Sequence, residues 1–252
     1  MGQKSNPIGL RLGGQRTWDA LWYQDQAAPS FLHQDLAARA LLTRVYQRDG
    51  ALTGRILSTR SPTKAHWQVP VYAPSEVGPP LLKEGVLEEA LAKIQGQPVE
   101  VQIQDLRTLA PTRRAAILSL AASTLSAFRS RPYFDSTLEL LTLSLLSRSP
   151  LLFAKGCSRQ IEKDYRHGPF LDFLKRLGPW ALDQFPEIQG LRIQCKGRLN
   201  GADRSKVHWF QYGQVPLQTF SQEIDYGYAP AFTPYGVCGI KVWWVYAPSQ
   251  DA

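Results

Sequence analysis

Apolar and polar residues alternate most regularly in the last quarter of the chain, over residues 190–246. Leu191, Ile193 and Cys195 alternate with charged and amide side chains. A period of two places the apolar residues on one face of a strand and the polar residues on the other. Between residues 192 and 206 there are five basic side chains and one acid, Asp203: Arg192, Lys196, Arg198, Arg204 and Lys206. The pattern predicts a sheet with one face toward a core and a cationic face toward an anionic ligand.

Turn signals divide the rest of this region into further strands. Asn200-Gly201 and Tyr212-Gly213 are pairs that favour tight turns. We predict later strands at residues 215–220 and 240–246. In the last strand the apolar residues again share one face, and Lys241 lies on the other. The C-terminal region is therefore predicted to hold a mostly antiparallel sheet.

The first half of the chain mixes helical and extended patterns. Apolar residues at three-to-four spacing predict a helix within residues 18–48. A small α+β unit follows in the order strand–strand–helix–strand–helix, at residues 54–59, 65–72, 86–94, 99–103 and 112–128. Residues 129–168 are rich in Leu and Ser and are interpreted as an insertion or linker with one apolar helix at 138–146. A further helical run at 170–177 precedes the sheet.

The composition favours a polyanionic partner. The 252 residues include 29 Lys and Arg against 21 Asp and Glu, a net charge of +8. The three cysteines are far apart and form no C-x-x-C pair, so neither a disulfide framework nor a metal site is predicted. The most apolar run, 138–153, contains charges and a proline and falls short of the ~20 apolar residues of a membrane span. Residues 1–12 lack the apolar stretch of a secretory signal.

The N-terminal segment, residues 1–17, is basic and rich in glycine. Lys4, Arg11 and Arg16 have no acid beside them up to residue 16, and the glycines make a helix unfavourable. Such a segment is typical of an arm that lies along phosphates and becomes ordered on contact. A frayed chain terminus is the alternative interpretation.

Motifs at both ends of the chain resemble one family, that of bacterial-type ribosomal protein number three of the small subunit. The N-terminal match is residues 1–12, MGQKSNPIGLRL, followed by Trp18-Asp19 and Trp22-Tyr23. The C-terminal match comprises residues 197–202, 213–217, 224–226 and 235–243, in the family's order and spacing. Together these motifs cover about a third of the sequence.

The resemblance implies an α+β protein with a type II KH-like domain followed by a C-terminal α/β domain. The expected divisions are a basic arm at 1–17, the KH-like domain with its leading helix at 18–128, the insertion at 129–168 and the family's C-terminal domain at 169–252. The family's place is the head of the small ribosomal subunit, on ribosomal RNA, beside the tunnel where mRNA enters. The implied partners are therefore ribosomal RNA, mRNA and neighbouring head proteins. Neither a cofactor nor an enzymatic activity is implied.

The chain departs from the family at two places. A KH domain holds nucleotides with a G-x-x-G loop, whose glycines let the backbone approach phosphates. Here the matching residues, 82–85, read LKEG, so the first glycine is lost and Glu84 adds a repelling charge. This argues against the family's mode of binding by that loop. The family also carries a basic cluster at the mRNA entrance, of which only Lys175 and Arg176 are retained.

The altered loop and the 129–168 segment are more similar to organellar than to free-living bacterial members. The segment 224–245 also resembles plant-type mitochondrial versions. We therefore expect a mitochondrial ribosome, with the bacterial cytoplasm as the alternative. Since the family's opening motif begins at Met1, no presequence is visible, which fits synthesis in the organelle, a bacterial protein, or a mature form without its leader.

The candidate RNA-binding residues are basic, apart from one tryptophan beside Lys241 that could stack on a base. They are Lys4, Arg11, Arg16, Lys175, Arg176, Arg192, Lys196, Arg198, Arg204, Lys206, Lys241 and Trp243. Core packing is the competing interpretation for most aromatic residues of this region.

Two alternatives to a ribosomal role remain at this stage. One is a KH-type RNA-binding regulator that acts away from the ribosome. The other is a nuclease or lyase that acts on RNA and uses Asp203, His208, Glu223 and Asp225 for acid–base chemistry. No catalytic motif supports the nuclease, and Asp225 is expected to pair with an arginine or to cap an element.

Overall fold

The computed structural model describes residues 4–74, 84–164 and 166–247. Their contacts divide the chain into two compact units. Unit 2 is Trp18–Leu109, and unit 1 combines the N-terminal segment up to Thr17 with the chain from Ala110 onward. Unit 1 is therefore built from two stretches that are distant in sequence.

Unit 2 is a small mixed sheet with two helices. Its elements are β1 (Ala20–Leu21), α1 (Ala28–Arg48), β2 (Leu52–Thr53), β3 (Leu57–Arg60), β4 (Ala65–Tyr72), α2 (Glu84–Gln95) and β5 (Val99–Asp105). Strand β4 pairs antiparallel with β2 and β3 and parallel with β5, and β1 pairs parallel with β3. The predicted strand–strand–helix–strand order is found here, and the unit ends before the predicted boundary at residue 128.

Sequence periodicity explains the core of unit 2. In β4 the alternate residues Ala65, Trp67, Val69 and Val71 are buried, as a period of two requires. In α2 the residues Leu87 and Leu91 and the polar Gln95 are buried at four-residue spacing, so one stripe of the helix faces the sheet. The apolar side chains among these and the buried apolar residues of α1 form one hydrophobic cluster.

Unit 1 has a layer of helices on one face of a four-stranded sheet. The helices are α3 (Pro111–Thr124), α4 (Phe134–Leu146), α5 (Pro150–Lys163) and α6 (Gly168–Gln184), and the strands are β6 (Ile188–Gly197), β7 (Lys206–Gly213), β8 (Ile224–Thr233) and β9 (Gly236–Tyr246). The strand order is β7-β6-β9-β8, and every pair is antiparallel. The predicted mixed α+β class and the antiparallel C-terminal sheet are confirmed.

Two glycines let the helices approach the sheet closely. A Cβ on Gly227 of β8 would lie 2.5 Å from the backbone nitrogen of Leu151, at the start of α5. A Cβ on Gly178 of α6 would lie 2.2 Å from the ring of Tyr212 in β7. Real Cβ atoms do not approach other heavy atoms so closely, so both positions require glycine at this helix–sheet distance.

The segment 129–168 contributes more to this core than the sequence indicates. One apolar helix is predicted there, and the structure has two, α4 and α5. Phe134, Leu138, Phe153 and Cys157 from these helices are at most 1% exposed and belong to the main core cluster of unit 1. The second helix is missed by sequence reasoning because its apolar residues alternate with Lys155, Gly156 and other poor core formers.

The predicted strand at 215–220 is wrong. Pro216 removes a backbone donor, and turn hydrogen bonds join the Leu217 nitrogen to the Val215 oxygen at 3.0 Å and the Thr219 nitrogen to the Pro216 oxygen at 3.2 Å. Val215 and Leu217 instead pack against Ile224 and its neighbours on the sheet. Residues 214–223 therefore form a loop that covers one end of the sheet face opposite the helices. Within the described residues, every helix is too short or too polar to span a membrane.

Candidate nucleic-acid interface

The two faces of the unit 1 sheet differ as the alternation in β6 predicts. Leu191, Ile193 and Cys195 are at most 3% exposed and pack under the helices. The intervening residues Arg192 and Lys196 point to the other side, which we call the open face. The prediction of one apolar and one cationic face of β6 is confirmed.

The strand register extends the open face over all four strands. Residues that pair directly in antiparallel strands lie on the same face, so each rung crosses the sheet from β7 to β8. The first rung is Gln211, Arg192, Trp243 and Tyr226; the second is Trp209, Gln194, Lys241 and Tyr228; the third is Val207, Lys196, Gly239 and Pro230. These twelve positions include three cations and no acid. The open face is therefore both basic and aromatic.

Arg192 is held between two tryptophan rings. Its guanidinium carbon lies 5.4 Å from the ring centroid of Trp209 and 5.3 Å from that of Trp243. Both distances are in the range of cation–π attraction. The arrangement fixes the guanidinium on the sheet surface while part of the side chain stays accessible.

Trp243 is not available as an exposed stacking platform in this structure. It is only 7% exposed, and its ring centroid lies 5.3 Å from that of Tyr226. Trp209 and Tyr228, on the next rung, are 51% and 46% exposed. From the sequence, both belong to the aromatic residues for which core packing competes with base stacking, and Trp243 is selected instead of them. Period-two alternation counted back from the turn at Gly213 puts Trp209 on the open face, and this signal could have identified it.

Three further predicted cations are exposed beside the end of β6: Arg198 and Arg204 in the β6–β7 connection, and Lys206 as the first residue of β7. Asn200 has a left-handed backbone with φ of 57°, and its side-chain oxygen accepts hydrogen bonds from the backbone nitrogens of His167 and Gly168 at 2.6 and 3.2 Å. The Asn200 nitrogen donates to Nδ1 of His167 at 2.9 Å. This connection is thereby fixed to the start of α6, which positions its cations at one end of β6.

Lys175 and Arg176 are exposed but lie in the helical layer, on α6. The Arg176 guanidinium carbon is 5.4 Å from the centroid of the Phe128 ring. The backbone oxygen of Lys175 accepts a hydrogen bond from the Tyr212 hydroxyl at 2.6 Å, on the helix-covered face of β7. The structure therefore places these two cations apart from the open face.

The described part of the N-terminal segment packs against the rest of unit 1. Arg11 is 2% exposed, and its guanidinium donates four hydrogen bonds of 2.7 to 3.3 Å to backbone oxygens of Pro7, Leu217, Thr219 and Gln222. Burial lowers the pKa of this guanidinium. The arm is held because a buried cation must satisfy its donors within the protein.

Arg16 forms an ion pair with Asp225, and both side chains are 10% exposed. The expectation that Asp225 pairs with an arginine is confirmed. Lys4 is exposed. Of the three cations predicted in the arm, Lys4 is therefore the one with an accessible side chain.

The residues considered for acid–base chemistry do not assemble into one site. Asp225 pairs with Arg16, and Glu223 accepts a 2.9 Å hydrogen bond from Arg148. His208 is opposite Cys195 and so lies on the helix-covered face. Across residues 4–74, 84–164 and 166–247, no cluster of three or more potential metal ligands occurs.

Comparison with known proteins identifies the class of the chain. The family model for the ribosomal protein S3 C-terminal domain matches residues 175–244, which run from α6 through β9. The chain thus contains a ribosomal-protein domain, and its sheet with the open face lies within that domain.

Full-length relatives extend this match to nearly the whole chain. The small ribosomal subunit protein uS3 of Gluconacetobacter diazotrophicus is 35% identical over 244 residues, covering 96% of this chain and 89% of the relative. The protein of the same name from Gluconobacter oxydans is 34% identical with the same coverage, and that from Geotalea uraniireducens is 29% identical over 96% of this chain and 95% of the relative. The chain belongs to the small ribosomal subunit protein uS3 family, as its motifs predict. A family of ribosomal proteins agrees with the prediction that the chain is not an enzyme.

Proposed function

We propose that this chain is a structural component of the small ribosomal subunit and binds ribosomal RNA through unit 1. The observation that supports this most strongly is the uS3 family match along the chain together with a basic open face inside the matched domain. The RNA-binding surface consists of the open face, the β6–β7 connection and Lys206 at the start of β7. Its accessible cations are Arg192, Lys196, Arg198, Arg204, Lys206 and Lys241.

The charge of this surface suits a phosphate backbone. The residues on its three rungs include no carboxylate that could neutralise the cations. Each phosphate that displaces counterions by binding such a cation makes RNA affinity more dependent on salt, by about 0.7 to 0.9 in the log–log slope. Arg11 and Arg16 hold the arm against the rest of unit 1 and are outside this surface. Lys4 is exposed on the arm and is proposed as a further RNA contact.

Unit 2 is proposed to be the KH-like domain. Its element order, α1, two strand segments, β4, α2 and β5, supports this assignment. Helix α2 connects β4 to β5 along the chain, and these two strands pair in parallel. The altered G-x-x-G residues Leu82 and Lys83 lie outside the described residues. Gly85 lies in the first turn of α2. RNA binding by this loop is not part of the proposal.

The finer placement of the chain follows the family resemblance. We place it in the head of the subunit, among neighbouring head proteins, with Lys175 and Arg176 facing mRNA at the entry tunnel. Their exposure on α6 supports this assignment. We also retain a mitochondrial ribosome as the proposed location, on the sequence features at 82–85 and 129–168. The relatives named above are bacterial proteins, so a bacterial ribosome is the alternative.

Charge reversal on the surface tests its role in assembly. The double variant Lys196→Glu, Arg198→Glu should fail to co-sediment with small subunits, because two cations facing phosphate become anions. The matched control is Arg44→Glu, Lys93→Glu, which changes the net charge equally at exposed residues of unit 2. Folding of both variants is checked by thermal unfolding.

Three outcomes separate the candidate functions. Loss of co-sedimentation in the first variant alone supports the proposal. Normal assembly of that variant overturns the proposed surface. A wild-type protein that binds RNA but stays away from small subunits would instead indicate the off-ribosome regulator.

A further inference from the structure

The second rung of the open face has an exposed aromatic ring at each end. Trp209 in β7 is 51% exposed and Tyr228 in β8 is 46% exposed. Gln194 and Lys241 lie between them in the strand register. A hydrophobic core cannot explain these two rings, because they are on the face opposite the helices.

Local packing holds both rings on the sheet. The Arg192 guanidinium covers the Trp209 ring at 5.4 Å from the ring centroid, and half of the Trp209 side chain stays accessible. Gly239 has no side chain, and a Cβ built there would lie 3.3 Å from Cε2 of Tyr228. The Tyr228 ring therefore crosses the glycine on the neighbouring strand. Both rings are supported from within the protein and accessible from outside.

We propose that Trp209 and Tyr228 form a stacking platform for unpaired bases of ribosomal RNA. This inference rests on the proposed function and specifies the kind of RNA that the open face takes. The phosphates beside the stacked bases are held by Lys241, Arg192 and Lys196.

The charge of the face favours RNA over a protein partner. Among the described residues, Arg192, Lys196 and Lys241 form no ion pair with a carboxylate. Covering them with an apolar protein surface would desolvate three uncompensated charges, which is costly. A polyanion with flat apolar bases satisfies the cations and the rings together.

The ring geometry favours unpaired over paired RNA. Bases inside a duplex have both faces covered by their neighbours, whereas unpaired bases can turn outward and stack on aromatic side chains. Trp209 and Tyr228 are three strand spacings apart, about 14 Å. Successive bases in one stack are about 3.4 Å apart, which is much less than the distance between the two rings. Two stacked bases therefore cannot contact both rings at once. Each ring therefore receives its own base from an extended strand.

Binding of two RNA probes by the full chain tests the platform. The probes are a short oligouridylate and a blunt RNA duplex of the same length. Trp209→Ala should weaken oligouridylate binding by roughly 5- to 150-fold, the range for loss of one stacked base. Trp209→Phe should retain most of the affinity, since a smaller ring still stacks. Duplex binding should be unchanged in both variants.

Two controls separate stacking from charge and from general damage. Trp18→Ala removes another exposed tryptophan, 59% accessible and in unit 2, and should leave oligouridylate binding unchanged. Lys241→Gln should lower the salt slope by about 0.7, while Trp209→Ala should leave the slope unaltered because it removes no charge. If Trp209→Ala loses equal affinity for both probes, or loses no affinity for oligouridylate, the proposed stacking platform is wrong.

A photo-crosslinking phenylalanine analogue at position 209 identifies the occupant in assembled small subunits. An adduct with an unpaired nucleotide supports the inference, and an adduct with a protein or with duplex RNA overturns it. If the wild-type chain does not enter small subunits at all, the proposed function fails, and the two-probe comparison still tests the stacking platform.

Discussion

At the scale of residues, three thiols are buried together in the core of unit 1. Cys157, Cys195 and Cys238 are free and at most 1% exposed. Burial raises the pKa of Cys195 to about 12, with a smaller contribution from Cys238 nearby. Burial also raises the pKa of Cys157 well above its ordinary value. The folded protein therefore keeps the Cys157 and Cys195 thiols protonated at pH values where an unfolded chain ionises them.

This difference predicts a loss of stability at alkaline pH. The unfolded thiol titrates near its ordinary pKa of about 8.5, and the folded Cys195 thiol titrates near pH 12. The free energy of unfolding should thus be unaffected below about pH 8. It should fall between about pH 9 and pH 12, by up to about 1.4 kcal/mol per pH unit for each such group. Urea unfolding at a series of pH values under reducing conditions measures this free energy. Cys195→Ala should flatten the fall, whereas Val242→Ala, equally buried and without a proton to lose, should shift the curve without flattening it. Parallel curves for both variants would contradict the prediction.

Sequence periodicity predicts only some properties of the candidate RNA-binding residues. Periodicity correctly separates the two faces of β6, because alternation in one strand is a local property. It cannot tell that Trp243 is covered by its cross-strand neighbour Tyr226 while Trp209 remains exposed. Periodicity also cannot predict that the Arg11 guanidinium donates hydrogen bonds to backbone oxygens more than 200 residues away in the sequence. Both facts depend on contacts between segments that are distant in sequence.

At the scale of elements, α2 begins directly at the altered loop. Glu84 and Gly85 are in its first turn, and the Glu84 side chain accepts a 3.4 Å hydrogen bond from the Ile103 nitrogen of β5. A Cβ on Gly85 would meet no atom within 4 Å. The position is helical and open to solvent, so glycine has no conformational role to fulfil here.

Replacing this glycine by an acid should therefore be tolerated. Gly85→Asp reduces backbone entropy in the unfolded chain and places a negative charge at a helix N-terminus, so the free energy of unfolding should stay level or rise by about 0.5 kcal/mol. RNA affinity should not change, because the G-x-x-G grip is already altered. Gly85→Ala is the control for helix propensity without charge. Lower RNA affinity or lost crosslinking at 82–85 in the Asp variant alone would show that this loop still contacts phosphate.

Elements with strong local patterns were the ones that sequence predicted well. Strands β4, β6 and β9 alternate clearly, and the structure contains all three. The segment 215–220 carries apolar residues at strand-like spacing and yet forms a loop, since Pro216 prevents ladder pairing and the arm supplies other partners for its backbone oxygens. The conformation of this segment therefore depends on contacts with residues distant in sequence, as the burial of Trp243 and Arg11 does.

At the scale of the whole molecule, unit 1 is discontinuous in sequence. The arm, residues 4–17, and the chain from residue 110 onward form one compact unit, although unit 2 lies between them in the sequence. Arg11 and Arg16 join the arm to the loop 214–223 and to β8. The hydrophobic clusters of the two units are separate sets of residues. Folding of unit 1 therefore depends on an N-terminal peptide that is synthesised long before the sheet.

A fragment experiment tests this dependence. The fragment 110–252 should unfold at a lower temperature than unit 1 in the full chain, because the backbone oxygens of Leu217, Thr219 and Gln222 lose their buried donor. A synthetic peptide of residues 1–17 should bind the fragment and raise its unfolding temperature with peptide concentration. The same peptide with Arg11→Ala should bind at least about tenfold more weakly, since each hydrogen bond to a charged group contributes about 1.5 to 3 kcal/mol. A peptide with Lys4→Ala is the matched control, because it also loses one charge but from an exposed side chain, and it should act like the wild-type peptide. If the fragment alone is as stable as the intact unit, or if both altered peptides bind equally well, the arm is not an integral part of unit 1.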